Sequence, residues 1–233
     1  MTLNELAYSL LGLVRGDYKD NDYLDIRLIY HFIHTQRANW VAKELGKPNP
    51  NIESFEQDLG ALLVETVSSN PYSSIATGAN FKRTVESIPK PLYKKGMPLI
   101  TRIGSIDYSQ YPFDIITLNR VSSYGTGKFN VNSIGGFYSG SKVYLMSRNN
   151  ATLGGLEYIN VRGIFENPTE VGGFTTIDGN VCYSPDDNYP ISAELIDYLH
   201  GDIMQYKLRL VVDTPSDRSN NADTDLTTNS ATK

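Results

Sequence analysis

Cysteine is nearly absent. Cys182 is the single thiol in 233 residues, so neither an intramolecular disulfide nor a four-thiolate metal site can hold this chain together. Long apolar runs are absent too, and none approaches the roughly 20 residues that a membrane-spanning helix needs. The N-terminus enters an amphipathic pattern directly, without a basic stretch followed by an apolar one, so no secretion signal is expected. The G-x-S-x-G elbow, the H-E-x-x-H pair and C-x-x-C sets do not occur. Stability has to come from packing or from partners, and enzyme chemistry would need scattered carboxylates that only the fold could bring together.

What is present suits a packed domain. With 40% apolar and 20% charged residues, 19 Gly and 11 Pro, the chain is not wholly disordered, collagen-like or a coiled coil. Its length fits one large or two small domains. The net charge of -5 hides an asymmetry. Residues 82–162 carry eleven basic and four acidic side chains, whereas 163–233 carry four basic and twelve acidic. The basic extreme is Lys82, Arg83, Lys90, Lys94, Lys95 and Arg102. The acidic extreme is 163–206, which has eight acids, Asp186 and Asp187 among them, and no base. Two readings stay open: charges that pair within one monomer, or unlike faces that meet head-to-tail between copies. Sixteen tyrosines against eight phenylalanines favour half-buried contact surfaces, although tyrosine is also a common strand residue.

Along the chain, Thr2 and Glu5 form a capping box. Leu3, Leu6, Leu10 and Leu13 recur at helical spacing, and Gly16 ends this first helix. A second helix starts after Asp20, Asn21 and Asp22 and runs to about Leu45. Ile26, Ile29, Ile33, Trp40 and Val41 form its apolar side, which Leu28 and Phe32 broaden. A third is expected over 52–67, burying Phe55, Leu59, Leu62, Leu63 and Val67. The proline-punctuated residues 68–98 predict an extended basic arm suited to lying along another subunit. From Leu99 the signal is β, with strands at Leu99–Ile103, Ile115–Val121, Lys142–Met146 and Tyr158–Ile164. Turns are expected at Gly125-Thr126-Gly127, Gly135-Gly136, Asn149-Asn150 and Gly154-Gly155, and a hairpin-like piece over 176–183. A strong turn at 184–190 precedes a last helix over Ser192–Leu208, with Leu195, Ile196, Leu199, Ile203 and Tyr206 apolar. The fold class is therefore α+β. A helical region (1–67), the basic arm (68–98) and an antiparallel β sheet, sandwich or small barrel (99–190) are followed by a C-terminal helix (191–210) and a polar tail (211–233), in one integrated domain.

Motifs that suggest chemistry fall short. His31 and His34 stand one helical turn apart, but no third ligand follows at metal-site spacing. Gly125-Thr126-Gly127-Lys128 lacks the first glycine of a phosphate loop, and Phe129 stands after its lysine. The run from Asp217 lacks the glycine and terminal glutamate of a calcium loop. Cys182 has no basic neighbour in sequence to activate it. No catalytic residue, cofactor or metal is assigned.

Five pieces, in this order, resemble the neck or ring proteins of crAss-like tailed bacteriophages. They are T-L-N-E-L-A at Thr2–Ala7, I-R-L-I-Y-H-F-I-H-T-Q-R-A at Ile26–Ala38, S-I-P at Ser87–Pro89, I-F-E-N-P at Ile164–Pro168 and Y-P-I-S-A-E-L-I at Tyr189–Ile196. The resemblance implies a non-enzymatic virion protein, assembled in the host cytoplasm without a membrane partner. It implies a homo-oligomeric ring of twelve copies, which bridges the portal to other neck and tail proteins and lines part of the channel for genomic DNA. Ring subunits need two complementary patches, and the opposed charge blocks could supply them. Lys82, Arg83, Lys90, Lys94, Lys95, Arg102, Asp186 and Asp187 are the candidate interface or channel residues, with a subunit seam favoured over DNA contact. One rival reading is a glycan-binding or small hydrolase module using Asp186, Asp187 and Tyr189, although capping the last helix is a simpler use for that turn. Another is a tail-assembly chaperone absent from the finished particle.

Overall fold

In the computed structural model, residues 1–17, 25–48, 50–67 and 80–208 are described. The expected caps Asp20, Asn21 and Asp22, the first part of the arm and the polar tail lie outside them. Helices α1 (Leu3–Asp17) and α2 (Ile26–Glu44) come first. Strands β1 (Gln57–Asp58), β2 (Leu62–Thr66), β3 (Asn80–Thr84), β4 (Tyr93–Lys94), β5 (Met97–Pro98), β6 (Ile100–Gly104), β7 (Asp114–Ile115), β8 (Gly135–Ser139) and β9 (Lys142–Ser147) follow. The short helix α3 (Asn150–Gly154), strand β10 (Tyr158–Gly163) and helix α4 (Ala193–Asp202) complete this α+β fold. The chain divides into two compact units, residues 1–40 with 191–233, and residues 41–190.

The first unit is helical. The capping box at its start forms as expected: Glu5 N donates to Thr2 Oγ1 at 3.1 Å, and Thr2 N donates to the Glu5 carboxylate at 2.9 Å. Leu3, Leu6, Ala7, Leu10 and Leu11 make the buried stripe of α1, while Leu13 is exposed. Ile29, Ile33 and the fully buried Arg37 lie along the inner face of α2. Leu195, Leu199 and Ile203 are the buried side of α4, whose last turn passes into a π-helical segment at Ile203–Leu208. Polar clasps join helices distant in sequence. Gln36 Nε2 and Trp40 Nε1 both donate to Asp202 Oδ2, at 2.6 and 2.9 Å. Tyr30 Oη donates to Asn4 Oδ1 at 2.7 Å, and Ser9 and His200 share a 3.1 Å hydrogen bond.

Apart from β4 and β5, which form a separate two-stranded hairpin, the second unit is built on one curled, mixed sheet. Strand β10 is its centre, pairing antiparallel with β1 and β2 along one edge and with β6 along the other. From β2 the order continues through β3, β9 and β8 to β7, and β7 lies parallel to β8. Phe113 N donates to Ile103 O at 2.7 Å, so the far end of the sheet returns to β6. Gly136 packs closely against Ile103: a Cβ there would stand 2.8 Å from Ile103 Cδ1. Strand β9 feeds two cores by simple alternation. Val143 and Leu145 join Leu59, Ile103, Ile159, Val161 and Phe165 on one face. Tyr144 and Met146 join Phe81, Ile116 and Phe137 on the other.

Several expectations need correction. The third helix over 52–67 does not form: a 3-10 turn at Glu53–Phe55 leads into β1 and β2. Gly60 explains why, with φ of +67° and the Thr175 carbonyl so near that a Cβ would sit 2.3 Å from it. Gly135-Gly136 is strand and not turn. Of the expected strand at 115–121 only Ile115 is in a strand, and Leu118–Arg120 is a 3-10 turn. The turn expected at Gly125-Thr126-Gly127 is present, with Gly125 at φ of +72°, but it does not join a hairpin, because β7 and β8 run parallel and the chain between them has to cross over. The hairpin-like piece is present, with a Thr175–Val181 bridge around Gly179.

Candidate assembly surface

The basic candidates are mostly engaged within the sheet unit. Lys82 on β3 is 8% exposed and donates through Nζ to Gly154 O and Leu156 O, closing the end of α3. Arg83 faces Glu65 across the β2–β3 ladder, with Nε 2.6 Å from Oε1. Its guanidinium is held charged beyond its usual range, first by the hydrogen bond to Glu65 and then by the one to Tyr144. Lys90 Nζ lies 2.8 Å from Glu166 Oε1, and Lys94 Nζ donates to Leu45 O. Arg102 donates to Asn160 Oδ1 at 2.8 Å and lies 3.9 Å above the Tyr108 ring. Lys95 differs. It occupies the exposed β4–β5 turn, with a backbone φ of +50°.

Arg102 belongs to a polar lock that sequence spacing does not reveal. Buried Asn160 donates to Asp58 Oδ1 and Gly60 O, and its Oδ1 accepts from Arg102 and from Tyr108 Oη. Tyr108 Oη also hydrogen-bonds Asp58 Oδ2. Arg162 reaches Glu56 at 3.4 Å and Asp58 at 3.9 Å. Burial raises the Tyr108 phenol, and the Asp58 hydrogen bond adds to it, against the opposing charges of Arg102 and Arg162. Four segments, β1, β6, the 105–109 loop and β10, are therefore tied at one point. Because its members come from four separated stretches of chain, no local motif marks the lock.

On the acidic side, Asp187 does not cap α4. Its carboxylate accepts from Ser184 N at 2.7 Å and Asp186 N donates to Ser184 Oγ at 3.3 Å, so both residues shape the 184–187 turn. The N-cap position of α4 is Ser192, which makes no side-chain cap. Tyr189 is 3% exposed, so it cannot line a sugar groove beside Asp186 and Asp187. The 174–183 hairpin carries further exposed residues that composition did not single out: Ile177, Asp178 and Val181. A cavity of about 450 Å³ opens elsewhere in the sheet unit, between the β4–β5 hairpin, β6 and residues 115–118.

The histidines and the thiol carry no shared centre. His34 is pushed down to about 4, first by burial and then by the charges of Arg37 and His31. His200 is also lowered by burial, against Asp197. Burial and then Asp58 push the Cys182 thiol up, and its sulfur packs over Gly60. Among the described residues no three His, Cys, Asp or Glu side chains cluster to hold a metal.

Most of the basic candidates are engaged by partners in their own chain, while apolar side chains stay exposed on a groove and a hairpin, a kind of surface that other protein can cover. The profile of the family described as phage tail ring protein 2 matches residues 5–226, and the chain belongs to that family, the ring proteins of crAss-like phages. It is a component of the virion tail and assembles as an oligomeric ring. No curated protein matches the chain.

Proposed function

We propose that this ring sits in the neck of the particle as a connector of twelve copies matched to the portal. It bridges the portal to the downstream tail proteins and encircles the channel used by genomic DNA during ejection. The observation that supports the reading is the ring-family match over residues 5–226, which covers almost the whole chain. Assembly takes place in the host cytoplasm and needs no membrane; among the described residues no helix is long and apolar enough to cross one.

Of the six basic candidates, Lys82, Arg83, Lys90, Lys94 and Arg102 have partners in their own chain. A lumen built to grip phosphates would offer a row of uncommitted cations. This favours a seam between copies over the channel wall, with DNA contact transient and non-specific. Imaging of necks in purified virions tests the placement. Twelve-fold density directly beneath the portal, fitted by the curled sheet, is expected. Another symmetry or a position at the tail tip overturns the placement, and absence of the chain from virions would favour an assembly chaperone.

A further inference from the structure

The groove and the hairpin of the sheet unit have complementary character. The groove walls are apolar, with Ile100 and Tyr138 deeper and Tyr93, Met97, Ile115 and Leu118 exposed. Its volume of about 450 Å³ falls in the range that holds a cluster of side chains or a small ligand. Lys94 and Gly96 are among the lining residues, and the exposed Lys95 lies between them in the turn.

The hairpin presents the opposite surface. Ile177 is 68% and Val181 58% exposed, and the acid Asp178 follows Ile177 at the tip. Its base is rigid. Phe174 and Tyr183 enter the core, Ala61 N donates to Thr175 O at 3.1 Å, and Thr176 N donates to Asn180 O at 2.8 Å. A projection held in shape before contact loses little entropy on docking.

Placement in the sheet completes the case. The hairpin hangs from the β1–β2 link, on one edge of β10, and the groove is built on β6, on the other edge. A ring of rotated copies needs two unlike patches on different flanks of each subunit.

We infer that the 175–181 hairpin of one copy docks in the groove bounded by residues 93–118 of the next. Ile177 and Val181 meet the apolar lining, and Asp178 meets Lys95 at the rim. The inference rests on the proposed ring and names its seam. It assigns the contact to a short acidic and apolar knob, where the sequence suggested whole charged faces.

Zero-length carbodiimide coupling of purified virions tests it, since the reagent joins a carboxylate only to an amine in contact with it. The expected result is a ladder at multiples of 26.0 kDa containing a peptide that joins Asp178 to Lys95. A ladder coupled only through other residues leaves the ring standing and overturns this seam. Coupling of Asp178 or Lys95 to a different tail protein, or a chain that stays entirely at its monomer mass, overturns it as well. Virions without the chain would instead remove the ring reading itself. In complementation of phage lacking the gene, Lys95→Glu or Asp178→Lys alone should lower plaque yield by more than about tenfold, because like charges would face each other. The double variant should restore it. Both positions are exposed, so each purified single variant should keep its melting temperature; a double variant no better than the singles overturns the contact.

Discussion

The helical unit and the sheet unit solve the same problem with different chemistry. Each must hold together segments far apart in sequence. The helical unit does so with apolar stripes and a few clasps, chiefly Asp202 accepting from Gln36 and Trp40. The sheet unit uses a dense lock of ionic and amide groups around Asn160. All three histidines and the single tryptophan belong to the helical unit, and the sheet unit has none. The helical unit is therefore the one that mild acid reaches, whereas the sheet unit is sensitive to loss of any one member of its lock. Trp40 gives the helical unit its own fluorescence reporter.

The largest effect expected from a single change is at the sheet's tightest point. Gly60→Ala forces a Cβ to 2.3 Å from Thr175 O and 2.8 Å from Cys182 Sγ at a φ of +67°. Strain and overlap together should cost about 4 kcal/mol. Urea denaturation followed by circular dichroism in the β region should show the loss. A variant within about 1 kcal/mol of the parent would mean that the 57–66 segment can rearrange.

Asn160→Leu comes next. It leaves Gly60 O and the guanidinium of Arg102 without their amide partner in a buried place, with an expected loss of about 3 kcal/mol. If Trp40 fluorescence unfolds at the same urea concentration as in the parent while the sheet signal moves down, the two units hold separately. If both move together, the contrast between them is one of chemistry and not of stability.

Acid should produce the reverse pattern. The pKa of His34 in the folded chain, about 4, lies below its ordinary 6.5 because burial and the Arg37 charge oppose protonation. The unfolded chain therefore takes up a proton that the folded one refuses. The stabilisation is fully present above pH 6.5 and is lost as pH falls from 6.5 towards 4, by at most about 3 kcal/mol. His200, lowered by burial as well, acts in the same direction. Denaturation midpoints read from Trp40 between pH 7 and 5 should fall, and His34→Gln should flatten the slope. An equally steep slope in that variant would place the acid sensitivity on another group.

What the sequence could announce follows from the reach of its signals. The capping box of α1, the buried run Val143–Met146 and the stop of α2 before Gly46 are decided within a few residues, and all three are legible. The 52–67 segment misleads because Phe55, Leu59 and Leu62 do recur at helical spacing. Those side chains are buried as expected, but Gly60 turns the backbone and Val64 alternates with exposed Leu63 in a strand. Gly135-Gly136 misleads in the opposite sense. There glycine serves close packing against Ile103, a contact across 33 positions that no window contains. The candidate surface was half legible for the same reason. Composition marks 82–102 as basic, yet whether a lysine is exposed like Lys95 or closes a helix like Lys82 depends on a carbonyl about 70 residues away.

That distinction between lysines also sets the smallest effect. Lys90 and Glu166 form a 2.8 Å ion pair, but their side chains are 64% and 41% exposed. Water and salt screen both charges, and two long side chains lose freedom in holding one geometry. The backbone bond from Glu166 N to Lys90 O already fixes the two segments at that point. Lys90→Ala should therefore leave the melting temperature of the purified chain unchanged at physiological salt. Should it lower the melting temperature clearly, the pair is shielded from solvent in the folded molecule, and the sheet unit's reliance on charge would extend from its interior lock to its surface.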